Sequence, residues 1–128
     1  SSGIGKSLAI KFANEGWQVA ASARREDLLN KLSESNQNIS SFPLDVTSRE
    51  NCEEIFEKIK NKFENIDICF FSTGTWDPKK EKEIDIDQMK KVMEVNFFGT
   101  LNCIKAVEMY FKEKKKWKYI NSIIHCWL

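Results

Sequence analysis

The opening residues Ser1, Ser2, Gly3, Ile4, Gly5, Lys6 and Ser7 set two glycines directly before an apolar helical pattern. Glycines at a helix start let the backbone approach a ligand closely, and the free N–H groups and helix dipole there favour a phosphate. Two chemistries use such a loop. One is a dinucleotide loop whose first glycine lies upstream of Ser1; the other is a Walker A loop, G-x-x-x-x-G-K-S, of which Gly5, Lys6 and Ser7 would be the end. A plain tight turn also fits two glycines. A Walker site needs, in addition, an acidic residue at the end of an apolar strand to hold magnesium. Asp67 stands at the start of the apolar run 66–71, and that run ends in Phe71, Ser72, Thr73 and Gly74, so the NTPase reading lacks its metal ligand.

Thiols and imidazoles offer less. Cys52, Cys69, Cys103 and Cys126 contain no C-x-x-C, and His125 is the sole histidine. No metal site is expected, and free thiols in a reducing, cytoplasmic setting fit the pattern. His125 and Cys126 are neighbours on an extended stretch, where adjacent side chains point to opposite faces, so they do not form a thiol–imidazole pair. Tyr110 and Lys114 are four apart on a helical pattern, a spacing that arises readily by chance.

The elements that would position these residues alternate between two periodicities. Residues 6–15 carry Leu8, Ala9, Phe12 and Ala13 at helical spacing, and Gly16 supplies a left-handed stop. The small and β-branched run 17–23 reads as a buried strand. Leu28, Leu29 and Leu32 mark a second helix over 26–35, and 39–44 is a short extended run restricted by Pro43. Asp45, Val46, Thr47 and Ser48 form a turn whose hydroxyls can cap a helix over 49–63. In that helix Ile55, Phe56, Ile59 and Phe63 form a buried stripe, while Glu53, Glu54, Glu57, Lys58 and Lys60 face water. The near-continuous apolar run 66–71 suits a strand covered by helices on both faces. A solvated loop leads to a long helical pattern over 84–114, with a break expected near its start, and 119–124 closes as another strand. The lysines between 112 and 118 suit a helix C-terminus, where cations complement the dipole. Strand–helix alternation of this kind argues for an open α/β sheet with right-handed crossovers, which binds ligands at the carboxyl ends of its strands.

Composition narrows the partners. The 128 residues are 41% hydrophobic, enough for one globular core. Twenty Lys and Arg against nineteen Asp and Glu leave a net charge of +1, which provides no basic field for nucleic acid or an anionic membrane. No apolar run approaches the ~20 residues of a membrane span, and no signal-peptide pattern opens the chain.

Several segments, taken in order, resemble the short-chain dehydrogenases/reductases over essentially the whole chain. Ser1, Ser2, Gly3, Ile4 and Gly5 look like the second half of the family's T-G-x-x-x-G-x-G loop. Asp45, Val46 and Thr47 resemble its D-V-T turn. Phe71, Ser72, Thr73 and Gly74 are similar to N-N-A-G, retaining only the glycine. Val95, Asn96, Phe97, Phe98, Gly99 and Thr100 look like V-N-x-x-G-x. The resemblance implies an incomplete, three-layer, doubly wound parallel sheet of the Rossmann type, a single partial NAD(P)-binding domain over 1–128. It implies hydride transfer between a nicotinamide and a carbonyl or alcohol carbon of a small-molecule substrate. By the same resemblance Ser2, Gly3, Ile4, Gly5, Ser72, Thr73 and Gly74 contact cofactor, Asp45 accepts from the adenine amino group, and Val46 packs on the base. Asn96 matches the catalytic Asn, and Ser122 falls at the place of the carbonyl-orienting Ser. The family commonly pairs through its long helix, implying a homodimer or tetramer.

The charge pattern bears on which nicotinamide cofactor is expected. A dinucleotide fold selecting NAD places Asp or Glu at the end of the second strand, whereas Arg there accommodates a 2′-phosphate. This chain reads Ala21, Ser22, Ala23, Arg24, Arg25, with no carboxylate at Ala23 and a guanidinium beside it. NADP(H) is therefore expected over NAD(H). The family's Tyr-x-x-x-Lys pair would lie beyond Ser122 and is not found in this chain, which is expected to be an inactive fragment truncated at both ends. A non-catalytic nucleotide-binding module remains the competing class, with a P-loop NTPase third. A missing first strand would leave two apolar edges, 17–23 and 66–71, that must pair with each other, another segment or another chain.

Overall fold

The computed structural model describes residues 3–76, 85–114 and 126–127. Helix α1 (Gly3–Asn14) begins three residues earlier than its apolar stripe suggests, and Gly3 at its edge adopts φ +70°. Its buried positions Gly5, Ala9 and Ala13 are all small, so the helix axis lies close to the sheet. The chain then turns at Gly16, whose φ of +91° only glycine adopts without strain, and Gly16 N donates to Ala13 O at 3.1 Å. Trp17 stacks edge-on against Phe12, so strand β1 (Val19–Ala23) begins two residues later than its apolar run.

The alternation of β1 divides the interior into two layers. Val19, Ala21 and Ala23 share a core with α1 and with Leu29 and Leu32 of α2 (Glu26–Glu34). Ala20 belongs instead to a second core, with Ile55, Phe56 and Ile59 of α3 (Arg49–Lys62) and Cys103, Val107 and Phe111 of α5 (Gly99–Glu113). A strand with both faces buried needs helices on both sides, which gives the three-layer arrangement. Helix α3 starts where the hydroxyl of Ser48 accepts from Asn51 N at 3.1 Å, the cap expected at that turn.

Strand β2 (Ile39–Pro43) pairs parallel with β1 from Val19↔Ile39 to Ala23↔Pro43. Strand β3 is only Phe70–Phe71. Strand β4 (Cys126–Trp127) lies parallel between them, pairing with β1 at Ala21 and Ser22 and with β3 at Phe70 and Phe71. The order is β2-β1-β4-β3. One expectation is met here and one needs correction. The edges at β1 and β3 pair with another segment, β4, whereas the strand expected over 66–71 is confined to Phe70–Phe71, with residues 66–69 outside the ladder. Ile66 and Ile68 are nevertheless buried, and Ile66 N donates to the Tyr110 hydroxyl at 2.8 Å. The expected strand over 119–124 lies outside the described residues.

The long helical pattern is also divided differently from expectation. Helix α4 (Ile86–Met93) runs without a break into a π-helical turn, Glu94–Phe98, and then into α5. The irregularity falls at the centre, on Asn96, not near the start. Gly99 N donates to Glu94 O, the wider i+5 spacing of a π turn.

Candidate functional site

In a parallel sheet all strand carboxyl ends point the same way, so the segments following β1, β2 and β3 converge. They enclose a cavity of about 590 Å³ lined by Arg24 and Arg25 after β1, Leu44 and Val46 after β2, residues 72–76 after β3, and Val95 of the π turn. Among the described residues no carboxylate lines it. Two guanidinium groups at one end and the hydroxyl-bearing Ser72, Thr73 and Thr75 elsewhere suit an anionic, hydrogen-bonding ligand. Ser22, 1% exposed, also lines the wall, and its Oγ has no hydrogen-bond partner among the described residues.

The turn after β2 is strongly built. Asp45 Oδ1 accepts from Thr47 N at 3.0 Å and from Thr47 Oγ1 at 2.8 Å. These two bonds, with the nearby Arg24 charge, hold the Asp45 carboxyl below the usual carboxylate range against a small opposing desolvation. Asp45 N in turn donates to Asn51 Oδ1 of α3 at 2.9 Å. The carboxylate is solvent-exposed and does not itself line the cavity, whereas Val46 is buried and does.

On the opposite wall, Asn96 reaches the segment after β3. Its Oδ1 accepts from Thr75 N at 2.7 Å and its Nδ2 donates to Thr75 O at 3.1 Å. The Thr100 hydroxyl donates to Asn96 O at 2.8 Å. An asparagine in an apolar helical stretch is thereby paired to backbone on two of its atoms, as a half-buried amide requires.

The structure thus brings Arg24, Val46, Ser72, Thr73 and Gly74 onto one cavity and ties Asn96 to its rim. Gly3, Ile4 and Gly5 sit at the start of α1 and are not among the lining residues; Ile4 is exposed. Ser2 and Ser122 lie outside the described residues. Tyr110 belongs to the core, its hydroxyl accepting from Ile66 N and its ring covered by Lys114 Nζ at 4.6 Å from the centroid. Among the described residues no group of His, Cys, Asp and Glu could hold a metal ion, and no helix is long and apolar enough to cross a membrane. Reading by motif passed over Ser22, Leu44, Thr75, Trp76 and Asn102. Of these Asn102 left a signal, an amide one turn after Gly99 beside the buried stripe of α5.

A family model described as short chain dehydrogenase matches residues 1–122. The NADPH-dependent 1-acyldihydroxyacetone phosphate reductase of Schizosaccharomyces pombe is 31% identical over 125 residues, covering 95% of this chain and 41% of that protein. A dehydrogenase/reductase SDR family protein 7-like of Dictyostelium discoideum is 32% identical, covering 88% of this chain and 39% of that protein. The chain therefore spans about two fifths of the length of these relatives. Among solved structures, ElxO with NADP bound superposes with a TM-score of 0.74 at 29% identity, over 88% of this chain and 47% of that one. A short chain dehydrogenase from Mycobacterium smegmatis shares the fold with a TM-score of 0.80 at 19% identity, over 88% and 49%. With its parallel sheet covered on both faces and the family match running from the first residue to Ser122, the chain belongs to the short-chain dehydrogenases.

Proposed function

We propose that this chain forms the cofactor-holding part of an NADP(H)-dependent oxidoreductase acting on a carbonyl or alcohol substrate. The observation that carries this is the cavity end formed by Ala23, Arg24 and Arg25, which offers guanidinium groups and no carboxylate where a 2′-hydroxyl would need one. The fission-yeast relative is NADPH-dependent by name and the ElxO structure holds NADP, which supports the same reading.

The residues present fit such a ligand. Arg24, with no ion-pair partner among the described residues, would take the 2′-phosphate. The Asp45 carboxylate, kept ionised by Thr47, would accept from the adenine amino group while Val46 packs against the base. Gly3 and Gly5 at the start of α1 would admit the diphosphate, and residues 72–74 would line the path toward the nicotinamide. When bound, the nicotinamide would give a hydride to a carbonyl carbon or take one from an alcohol carbon. Asn96 would hold the backbone of Thr75 in place beside the reacting end, and Ser122 would orient the substrate carbonyl. The exposed Ile86, Met89, Met93 and Phe97 recur along one face of α4 and the π turn, which supports self-association through the long helix. Cytoplasmic placement belongs to the same proposal, supported by the unbridged thiols of Cys52, Cys69 and Cys103.

A non-catalytic nucleotide-binding role is the second reading; among the described residues that line the cavity there is no Tyr, Lys or His. Calorimetric titration of the chain with adenosine 2′,5′-bisphosphate and with 5′-AMP tests the shared core of both readings. Tighter binding of the bisphosphate is expected, with the difference lost by about tenfold in Arg24→Ala, the factor equivalent to one charge-assisted hydrogen bond. Equal binding of the two ligands by the unaltered chain would overturn the NADP(H) preference. Oxidation or reduction of a carbonyl substrate by the protein that carries this chain separates enzyme from binder.

A further inference from the structure

We propose that Asn102 is a positioning residue for the base-binding turn, acting through the carbonyl of Val46. The inference rests on the reading of Asp45 and Val46 as the adenine contacts. Asn102 Nδ2 donates to Val46 O at 3.0 Å, and the Cys52 thiol of α3 approaches the same oxygen at 3.7 Å. One helical turn earlier, Gly99 brings α5 against the turn so closely that a Cβ there would lie 2.6 Å from Val46 Cγ2. Gly99 sets how near the helix comes, and the Asn102 amide sets how the Val46 peptide is rotated. The Leu44–Asp45 peptide at the start of the turn is held from the other side, by Asn51 Oδ1 accepting from Asp45 N at 2.9 Å. With the first and last peptides of the turn fixed in this way, and Ser48 N donating to Asp45 O at 3.2 Å between them, the turn has little freedom to move Val46 away from the cavity or to swing the Asp45 carboxylate.

The same stretch of helix holds the other wall of the cavity. Asn96 pairs with Thr75 after β3, and Asn102 pairs with Val46 after β2. Two amides on one continuous segment therefore fix the spacing of two loops that belong to different strands. A side chain at 102 that only filled space would leave Val46 O with a weak thiol donor and the turn free to rotate.

The test uses base discrimination, which a merely structural role would not move. A carboxylate at Asp45 accepts from the amino group of adenine and is repelled by the keto oxygen of hypoxanthine, so the unaltered chain is expected to bind 5′-AMP more tightly than 5′-IMP. In Asn102→Leu, with folding verified by circular dichroism at low temperature, that preference should collapse to within about twofold. Asn102→Gln, which keeps the amide, should restore part of it. Asn102→Ser removes the reach to Val46 O with a smaller side chain and should show the same collapse if the Leu variant does not fold. An unchanged AMP-to-IMP ratio in either folded variant overturns the role of Asn102 and leaves the nucleotide site standing. Failure of the unaltered chain to bind 5′-AMP overturns the site itself, and this inference with it.

Discussion

Asn96 and Thr75 form a closed pair: one amide side chain satisfies both the N–H and the C=O of a single residue 21 positions earlier. Backbone groups that end a strand without a ladder partner must find another one. Here the π turn presents a side chain that takes the place of a neighbouring strand, and so the segment after β3 is tied to the helix at Thr75, beyond the point where β3 stops.

Replacing Asn96 by Asp should therefore cost stability even though the shape is kept. A carboxylate oxygen would face Thr75 O where an amide donor stood, leaving that carbonyl unpaired and repelled. The expected loss is about 1–3 kcal/mol in urea denaturation, accompanied by faster hydrogen exchange of the Thr75 amide. A loss below about 0.5 kcal/mol, the scale of ordinary surface changes, would mean that the pair holds nothing.

Gly99→Ala poses a contest between two effects. Alanine is the better helix former by roughly 1 kcal/mol, yet its Cβ would meet Val46 Cγ2 at 2.6 Å and Val46 Cβ at 3.1 Å. Val46 is buried and β-branched, so it cannot yield by a simple rotamer change, and overpacking costs about 1–3 kcal/mol. The clash should win. A lower thermal midpoint is expected, together with weaker 5′-AMP binding as the turn is displaced; a raised midpoint would show that α5 shifts at no cost.

The Asp45 turn should weaken in acid with a defined sign. Its folded carboxyl lies below the ordinary value, so its contribution is fully present above the unfolded value near ~4 and is lost as pH falls through the lower, folded one. The stability difference between the unaltered chain and Asp45→Asn should be constant above about pH 5 and shrink below it. Because Asp45 is exposed the difference should be small and reduced by salt. A difference that grows toward acid would contradict the Thr47 hydrogen bonds as its cause.

Ser22→Ala should separate stability from binding. A buried hydroxyl without a partner carries a desolvation cost, so its removal should leave the free protein unchanged or more stable by up to about 1 kcal/mol. If the hydroxyl serves a bound nucleotide, affinity for 5′-AMP should fall in the same variant. Destabilisation of the free chain would show that Ser22 Oγ is satisfied within the fold.

Local pattern accounted for much of this architecture. Leu28, Leu29 and Leu32 gave one amphipathic face, Gly16 the left-handed stop, and Ser48 the cap of α3, because each depends on neighbours within a turn or two. The shortness of β3 was not legible. The apolar run 66–71 records burial, which Ile66 and Ile68 have, but a strand also needs ladder partners, which among the described residues only Phe70 and Phe71 find, at Cys126 and Trp127. Nor was the position of the π turn, since an apolar helical stripe continues through Val95 and Phe97 with nearly the same spacing either way.

For the candidate site the division is similar. Residue types and their order along the chain determined the family, the helix-start glycines and the cationic end of β1, all of which are local chemistry. Tertiary structure alone decided that Arg24, Val46, Gly74 and Val95 share one cavity, that Asn96 closes on Thr75, and that Asn102 reaches Val46 across 56 positions. Contacts at such separations depend on how the sheet stacks α3 and α5 against each other, and that stacking is a property of the packed core, which no single stretch of sequence contains.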